Sequence, residues 1–146
     1  MSPIVCYRIG HWLEQRNVPL LPILITYFVR LFFSCYLPSS ATLGKHVVLG
    51  YGGLGVVIHG RVVIGDGCHI DQNVTIGGTS KKYNVPTLGK NIYVGAGAKV
   101  LGPITIGDDV VIGANAVVVT DVPPNSLVVG IPAKVRKTGI KKSDYV

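Results

Sequence analysis

The sequence has few large aromatic side chains, few acidic residues and no pairing pattern among its cysteines. One Trp, one Met and 3 Phe in 146 residues leave too little material for a large aromatic core. The 3 cysteines are odd in number and lack zinc-site spacing, which argues against a disulfide framework and a bound metal. The first residues lack the plan of a signal peptide, so we expect a cytoplasmic protein.

Basic residues outnumber acidic ones. There are 14 Lys and Arg against 7 Asp and Glu, a net charge of +7, and no acidic residue lies between Glu14 and Asp66. Such a balance favours phosphate-bearing partners, such as acidic lipids or a phosphorylated cosubstrate. Nucleic acid is not expected, because no basic groove interleaved with aromatic residues is present.

From residue 58 onward an aliphatic residue recurs in steps of six positions. The series is Ile58, Ile64, Ile70, Ile76, Leu88, Val94, Val100, Ile106, Ile112 and Val118. Glycine often follows, which lets the backbone turn a corner without a Cβ clash. Six residues make a short strand and a turn, and three such units close a triangular coil of about eighteen residues. The period predicts an all-β solenoid, a parallel β-helix, over residues 41–123.

Two stretches depart from the regular period. Residues 50–57 are rich in glycine and break the phase. Residues 77–87 keep the phase, because Ile76 and Leu88 are twelve positions apart, so we expect this projecting loop to replace one six-residue unit. Pro123 and Pro124 stand where the last unit ends, and residues 124–146 predict a C-terminal extension with a basic tail.

Residues 1–40 have a different character and predict a short helical segment. Apolar residues with helical spacing come first, namely Val5, Ile9, Trp12 and Leu13. Residues 18–37 follow, nearly all apolar and as long as the ~20 residues of a membrane span. Three alternatives remain: a cap on the open end of the solenoid or an oligomer contact, an anchor on the membrane surface, or a true span. Two prolines and the central Arg30 make the span the least favoured.

Three segments resemble a known family. Val74–Thr79, Gly95–Lys99 and Val129–Ala133 are similar to the serine acetyltransferase branch of the hexapeptide-repeat acyltransferases, and the match covers roughly residues 43–136. The resemblance implies a left-handed parallel β-helix, the exception to the usual crossover hand. It also implies a homotrimer with sites between subunits, acetyl-CoA as cosubstrate without a permanently bound cofactor, and acetyl transfer to a hydroxyl.

Positions within the repeat single out a candidate site. Small residues fill the third position of four units, at Gly60, Gly78, Ala96 and Ala114. With eighteen residues per coil they are expected to stack into one stripe, a narrow groove for the pantetheine arm of CoA. His59 lies beside the stripe, where the repeat otherwise has a small or acidic residue, and imidazole suits general-base work near neutral pH, so we predict it as the base.

The resemblance adds further site residues and some departures. It implies a CoA groove lined by Gly78, Thr79, Ala96 and Ala114, with the phosphates near Lys134 and Arg136. The catalytic histidine of the family aligns near Tyr51–Gly52, its partner carboxylate aligns near Gly44, and the histidine of its substrate loop aligns with Val85. This chain therefore has neither the two histidines nor the carboxylate at these positions. The partner of His59 is therefore open between Asp66, Asp71, an acid of a neighbouring subunit and a backbone carbonyl. We predict that His69, His46 and His11 are not catalytic, and that His69 is a surface residue.

The acceptor is predicted to be serine or a sugar hydroxyl of a cell-surface glycan. The predicted substrate loop carries Lys81, Lys82, Tyr83 and Asn84, and its lysines suit a serine carboxylate or an acidic sugar. The apolar residues 18–37 favour the glycan, because such acceptors are assembled on lipid carriers at the inner membrane face. A different class of function is a non-catalytic β-helix trimer that acts as a scaffold, which the missing carboxylate favours.

Overall fold

The computed structural model describes all 146 residues as two α-helices, a parallel β-solenoid and a C-terminal hairpin. Helix α1 spans Pro3–Glu14 and helix α2 spans Leu21–Phe33. The strands of the coils are β1 Thr42–Leu43, β2 Val48–Leu49, β3 Val57–Ile58, β4 Val63–Ile64, β5 His69–Ile70, β6 Thr75–Gly77, β7 Thr87–Leu88, β8 Tyr93–Val94, β9 Lys99–Leu101, β10 Thr105–Ile106, β11 Val111–Ile112 and β12 Val117–Val118. The last two strands are β13 Ser126–Gly130 and β14 Ala133–Thr138.

The strands form the three faces of a triangular prism. Face 1 has the order β1-β4-β7-β10, face 2 has β2-β5-β8-β11-β13-β14, and face 3 has β3-β6-β9-β12. All neighbours are parallel except β13 and β14, so the predicted parallel β-helix is confirmed. Corner 1–2 comprises residues 44–47, 65–68, 89–92 and 107–110; corner 2–3 comprises 50–56, 71–74, 95–98 and 113–116; corner 3–1 comprises 59–62, 77–86, 101–104 and 119–122.

The aliphatic series fills the interior of the prism. All ten of its members are 2% exposed or less, and the small residues between them, including Cys68 at 0%, complete the core. Cys68 is thus the buried small hydrophobe that its position predicts. The coils approach closely at corner 2–3, where a Cβ on Gly95 would lie 2.8 Å from the backbone nitrogen of Ala114. Only glycine allows this approach, which explains why a glycine follows the inward aliphatic residue here.

The loop of residues 77–87 changes the register of the coils. Val57 pairs with Thr75, eighteen positions away, but Thr75 pairs with Lys99, which is 24 positions away. The chain passes from face 3 to face 1 in twelve residues here, between Ile76 and Leu88, whereas the same step takes six residues from Ile58 to Ile64. The loop is therefore added to a complete coil, and the prediction that it replaces a six-residue unit is wrong.

The predicted stripe of four small residues is consequently wrong as well. Gly60 and Gly78 follow face 3 and lie at corner 3–1, whereas Ala96 and Ala114 follow face 2 and lie at corner 2–3. The hydrophobic period could not distinguish a loop that replaces a six-residue unit from a loop that is added to a complete coil. In both cases the spacing remains a multiple of six residues, which preserves the phase of the inward residues on either side.

The N-terminal helices cap the first coil. Tyr7 of α1 is fully buried, and its hydroxyl donates a hydrogen bond to the Ala41 carbonyl (2.5 Å) and accepts one from the Leu43 N–H (3.1 Å). Val29 of α2 is also fully buried and belongs to the same core as the coils. Both helices therefore pack on the open end of the solenoid. Neither helix is both long and apolar enough to cross a membrane.

The outer side of the helices is apolar and exposed. The α1 residues with helical spacing, Val5, Ile9 and Trp12, are 51%, 54% and 52% exposed, because α1 turns Cys6, Tyr7 and Gly10 towards the coils. Helix α2 has its own exposed set, namely Leu21, Ile23, Leu24, Tyr27, Phe28, Leu31 and Phe32. We call these ten residues the apolar helix face.

The C-terminal residues remain partly in the coil. Strand β13 pairs in parallel with β11, so the extension predicted for residues 124–146 begins with a strand that continues face 2. Strand β14 then folds back antiparallel to β13 and ends the sheet. The tail packs against corner 1–2, where the Lys142 ammonium donates to the Gly67 carbonyl (2.7 Å).

Candidate active site

His59 lies at corner 3–1, directly after β3. Its backbone is held by the coil above, and its Nδ1 accepts a hydrogen bond from the Arg61 N–H (3.1 Å). Since a backbone N–H can only donate, the neutral imidazole carries its proton on Nε2 in this geometry. The two acids proposed as its partner are engaged elsewhere: Asp66 accepts from the Lys45 N–H (2.7 Å), and Asp71 pairs with His69.

Gly78 and Thr79 begin the loop one coil above His59. A Cβ added to the preceding Gly77 would meet nothing within 4 Å, so this stretch of backbone lies open to solvent. The Gly78 N–H donates to no backbone carbonyl, and Thr79 lies over Gly102 of the next coil. Corner 3–1 thus offers a free backbone donor close to His59.

The loop is fastened to the coil by Arg61. The Arg61 guanidinium lies 3.9 Å from the centroid of the Tyr83 ring and donates to the Tyr83 carbonyl. Together with Asn84 these residues line a cavity of about 360 Å³ over face 1. Of the four predicted loop residues, Tyr83 and Asn84 line this cavity, whereas Lys81 and Lys82 are exposed and lie outside its lining.

Arg61 was not among the predicted site residues, although the repeat contains a signal for it. It occupies the turn position that other units fill with a residue of positive φ, namely Gly67, Asn73, Asn91, Gly97, Asp109 and Asn115. Gly, Asn and Asp are the residues that tolerate this conformation, so an arginine at this position departs from the turn pattern of those units.

Ala96 and Ala114 stack at corner 2–3. The Asn115 N–H donates to the Ala96 carbonyl (2.8 Å), and the Gly97 N–H donates to the Gln72 carbonyl (2.9 Å), so Gln72 lies below Ala96. These three residues lie on successive coils and form a narrow track along the corner.

Two cations lie at the upper end of this track. Lys134 and Arg136 are exposed on β14, and Lys134 pairs with Val129, which lies directly above Gly113. The track therefore runs from these cations past Ala114 and Ala96 down to Gln72.

A titratable cluster lies at the lower end of the track. His69 Nε2 is 3.1 Å from one oxygen of Asp71, and the Tyr93 hydroxyl donates to the other oxygen (2.5 Å). This hydrogen bond, with burial and the carboxylate charge, raises the pKa of Tyr93 to about 12. His69 is partly exposed, as expected of a surface residue, but it is also the one histidine paired with a carboxylate.

The predicted site residues thus divide between two corners. His59, Gly78 and Thr79 lie at corner 3–1, and Ala96, Ala114 and Lys134 lie at corner 2–3. A groove that runs along the coil axis contacts only one of these corners in a single chain.

Comparison with known proteins identifies the family. Residues 86–120 match the family model "Bacterial transferase hexapeptide (six repeats)". The chain is 46% identical over 134 residues to the serine acetyltransferase of Synechococcus elongatus, which covers 90% of this chain and 54% of that protein. It is 42% identical over 133 residues to the serine acetyltransferase of Helicobacter pylori, which covers 90% of this chain and 77% of that protein. The chain spans about half the length of most of the curated relatives it matches.

Comparison with solved structures points to the same family. The serine acetyltransferase of Neisseria gonorrhoeae superposes with a TM-score of 0.90 at 34% identity, covering 95% of this chain and 55% of that one. The Brucella abortus serine acetyltransferase in complex with coenzyme A superposes with a TM-score of 0.89 at 31% identity, covering 94% and 56%. With its hexapeptide coils, its N-terminal helices and these relatives, the chain belongs to the serine acetyltransferase family.

Proposed function

We propose that this protein is an acetyl-CoA-dependent O-acetyltransferase that transfers the acetyl group directly to a hydroxyl. The observation that carries the proposal is the track at corner 2–3, where Ala96 and Ala114 carry only methyl side chains and Lys134 and Arg136 lie at its end. A thin amide-bearing arm can lie close to the backbone along such a track, and the cations suit the phosphates of CoA. The related Brucella abortus structure contains coenzyme A, which supports this ligand.

The division of site residues between two corners supports a homotrimer. If corner 2–3 of one chain faces corner 3–1 of the next, His59, Gly78 and Thr79 of the neighbour close the track from the other side. A threefold axis parallel to the coil axis keeps corresponding coils at the same height. Light scattering measures the oligomeric state and so tests the proposed homotrimer. A monomer that still turns over acetyl-CoA would contradict it.

The proposed reaction needs a base, an oxyanion donor and no covalent enzyme intermediate. A histidine takes the proton of the acceptor hydroxyl as its oxygen attacks the thioester carbon. The free Gly78 N–H is suited to donate to the oxyanion that develops on the carbonyl oxygen. The tetrahedral intermediate then collapses, the carbon–sulfur bond breaks, and the CoA thiolate takes the proton back from the imidazolium.

Serine is the first candidate acceptor. The relatives are named for it, and Arg61 lines the cavity next to the loop with a guanidinium suited to a carboxylate. A glycan hydroxyl is the second candidate, favoured by the apolar helix face, which would hold the enzyme near lipid-linked acceptors.

Thiol release from acetyl-CoA discriminates these acceptors. The full chain is incubated with acetyl-CoA and with serine, a panel of sugars or nucleotide sugars, and free CoA is measured. Release that depends on serine supports the first candidate, and release that depends on a sugar supports the second. If calorimetry detects no acetyl-CoA binding and no acceptor gives release, the enzyme proposal fails and the scaffold alternative takes its place.

The apolar helix face supports a peripheral contact with an anionic membrane. Seven of its members lie on the 13 residues of α2, and Leu31 and Phe32 are 77% and 66% exposed. Trp12 and Tyr27 are side chains typical of the lipid headgroup region, and Arg16 stacks on the Trp12 ring at 3.8 Å. With exposed Arg30 nearby and no acid between Glu14 and Asp66, the charge suits anionic lipid.

Vesicle sedimentation tests this contact. We expect the full chain to pellet with anionic vesicles, less with neutral ones, and Leu31→Glu with Phe32→Glu to release it. Val63→Glu is the matched control, because Val63 is exposed on face 1 of the coils. If the protein never pellets, and the double variant instead lowers the oligomer size, a second copy covers this face and the membrane contact is wrong.

A further inference from the structure

The cluster of His69, Asp71 and Tyr93 has the geometry of an oriented base. Asp71 accepts from Tyr93 on one oxygen and faces His69 Nε2 with the other. The Tyr93 ring meets the imidazole edge-on, with centroids 5.5 Å apart. Asp71 lies close over Gly50 of the coil below, because a Cβ on Gly50 would lie only 2.5 Å from its Oδ1. The carboxylate has little freedom to turn away from the imidazole.

The protonation pattern makes His69 a better base than His59. A carboxylate only accepts, so Nε2 of His69 carries the proton and its Nδ1, which has no hydrogen bond within the protein, is free to take another. His59 has the opposite arrangement, since its Nδ1 is engaged by the Arg61 N–H. To act as a base through Nε2, His59 would first have to give up that hydrogen bond and change tautomer.

The cluster also lies where the reacting end of the cosubstrate should arrive. Asp71 precedes Gln72 at corner 2–3, at the opposite end of the track from Lys134. Four strand spacings of face 2 separate β5 from β14. At ~4.8 Å each they amount to roughly 19 Å. This length is comparable with the extended arm between the phosphates of CoA and its sulfur.

We infer that His69, oriented by Asp71 and Tyr93, is the general base of the acetyl transfer, an inference that rests on the proposed function. His69 Nδ1 removes the hydroxyl proton while the acceptor oxygen bonds to the thioester carbon. Asp71 stays ionised and stabilises the imidazolium. When the carbon–sulfur bond breaks, the imidazolium returns the proton to the leaving CoA thiolate, so protons balance over the cycle. Asp71 and Tyr93 are positioning residues, and His59 with Gly78 contributes the opposite wall.

Steady-state kinetics of matched histidine variants test this assignment. With the acceptor that supports thiol release, His69→Gln is expected to lower kcat by about 10²–10⁴-fold and to leave KM for acetyl-CoA within about twofold. His46→Gln, which changes an exposed histidine at corner 1–2, is the control and should match wild type. Asp71→Asn and Tyr93→Phe should lower kcat by successively smaller factors without raising KM for acetyl-CoA.

Chemical rescue separates a chemical role from a structural one. Imidazole in the buffer should restore part of the turnover of His69→Gly, which a merely misfolded variant would not show. Wild-type kcat in His69→Gln would overturn the assignment while acetyl transfer stands. A wild-type protein that releases no thiol with any acceptor would overturn the proposed function first, and this inference with it.

Discussion

Removal of a single hydroxyl at the junction of cap and coil should destabilise the N-terminal cap. In Tyr7→Phe the ring remains, but the Ala41 carbonyl loses its donor (2.5 Å) and the Leu43 N–H loses its acceptor (3.1 Å). Tyr7 and Ala41 are 0% exposed and Leu43 is 4% exposed, so water does not replace the missing partner. Both orphaned backbone groups remain buried in the variant.

The expected loss of unfolding free energy follows from these two unpaired backbone groups. A buried donor or acceptor left without a partner costs about 1–3 kcal/mol. Two such groups, reduced by the more favourable burial of Phe, give about 2–4 kcal/mol. This is a large share of the ~5–15 kcal/mol by which a domain is stable.

Urea unfolding followed by tryptophan fluorescence measures this loss, because the single tryptophan, Trp12, lies on α1. Tyr27→Phe is the matched control, since Tyr27 is 55% exposed on α2 and should change stability by less than about 0.5 kcal/mol. A loss below about 1 kcal/mol in Tyr7→Phe would refute the view that this hydroxyl joins the cap to the coils.

Three further predictions concern the site. Ala114→Trp should fill the track and weaken acetyl-CoA binding by at least about tenfold in calorimetry, whereas the control Lys90→Trp at corner 1–2 should leave the affinity unchanged. Equal affinities of the two variants for acetyl-CoA would show that the track is not the binding site. Lys134→Glu should raise KM for acetyl-CoA but not for acetylpantetheine, which lacks the nucleotide phosphates, and a parallel rise in both would contradict phosphate binding. Asp71→Asn should bring the pKa of Tyr93 down from about 12 towards ~10, as followed by tyrosinate absorbance. Because the folded pKa is raised, the stabilisation by this hydroxyl is complete below pH ~10 and lost as the pH rises through about 12.

The fold was predictable because its signal is local and repeated. An inward aliphatic residue at every sixth position specifies a short buried strand, and the three-unit coil follows from stacking such strands. The position of Cys68 among the inward residues predicted its burial for the same reason. A cap was one of the three alternatives for residues 1–40, because an open end of a solenoid exposes its core.

The site was predictable only in part, because its residues meet through the register of the coils. The choice of Ala96 and Ala114 for the track stays a prediction, but their separation from Gly78 was missed, since a six-residue insertion keeps the phase. The pairing of His69 with Tyr93, 24 positions away, could not be predicted, because it depends on that same insertion.

The sequence by itself determined the coil, its core and the family, since these depend on residue types repeated at short spacing. The tertiary structure decided which residues share a corner. The face on which a residue lies depends on the number of residues in the preceding coils. One added loop of six residues therefore places every later residue one face away from where the six-residue period alone would put it. Hydrophobic spacing does not register that movement, and the track, the Arg61 contact and the pairing of His69 with Tyr93 therefore depend on the stacking of the coils.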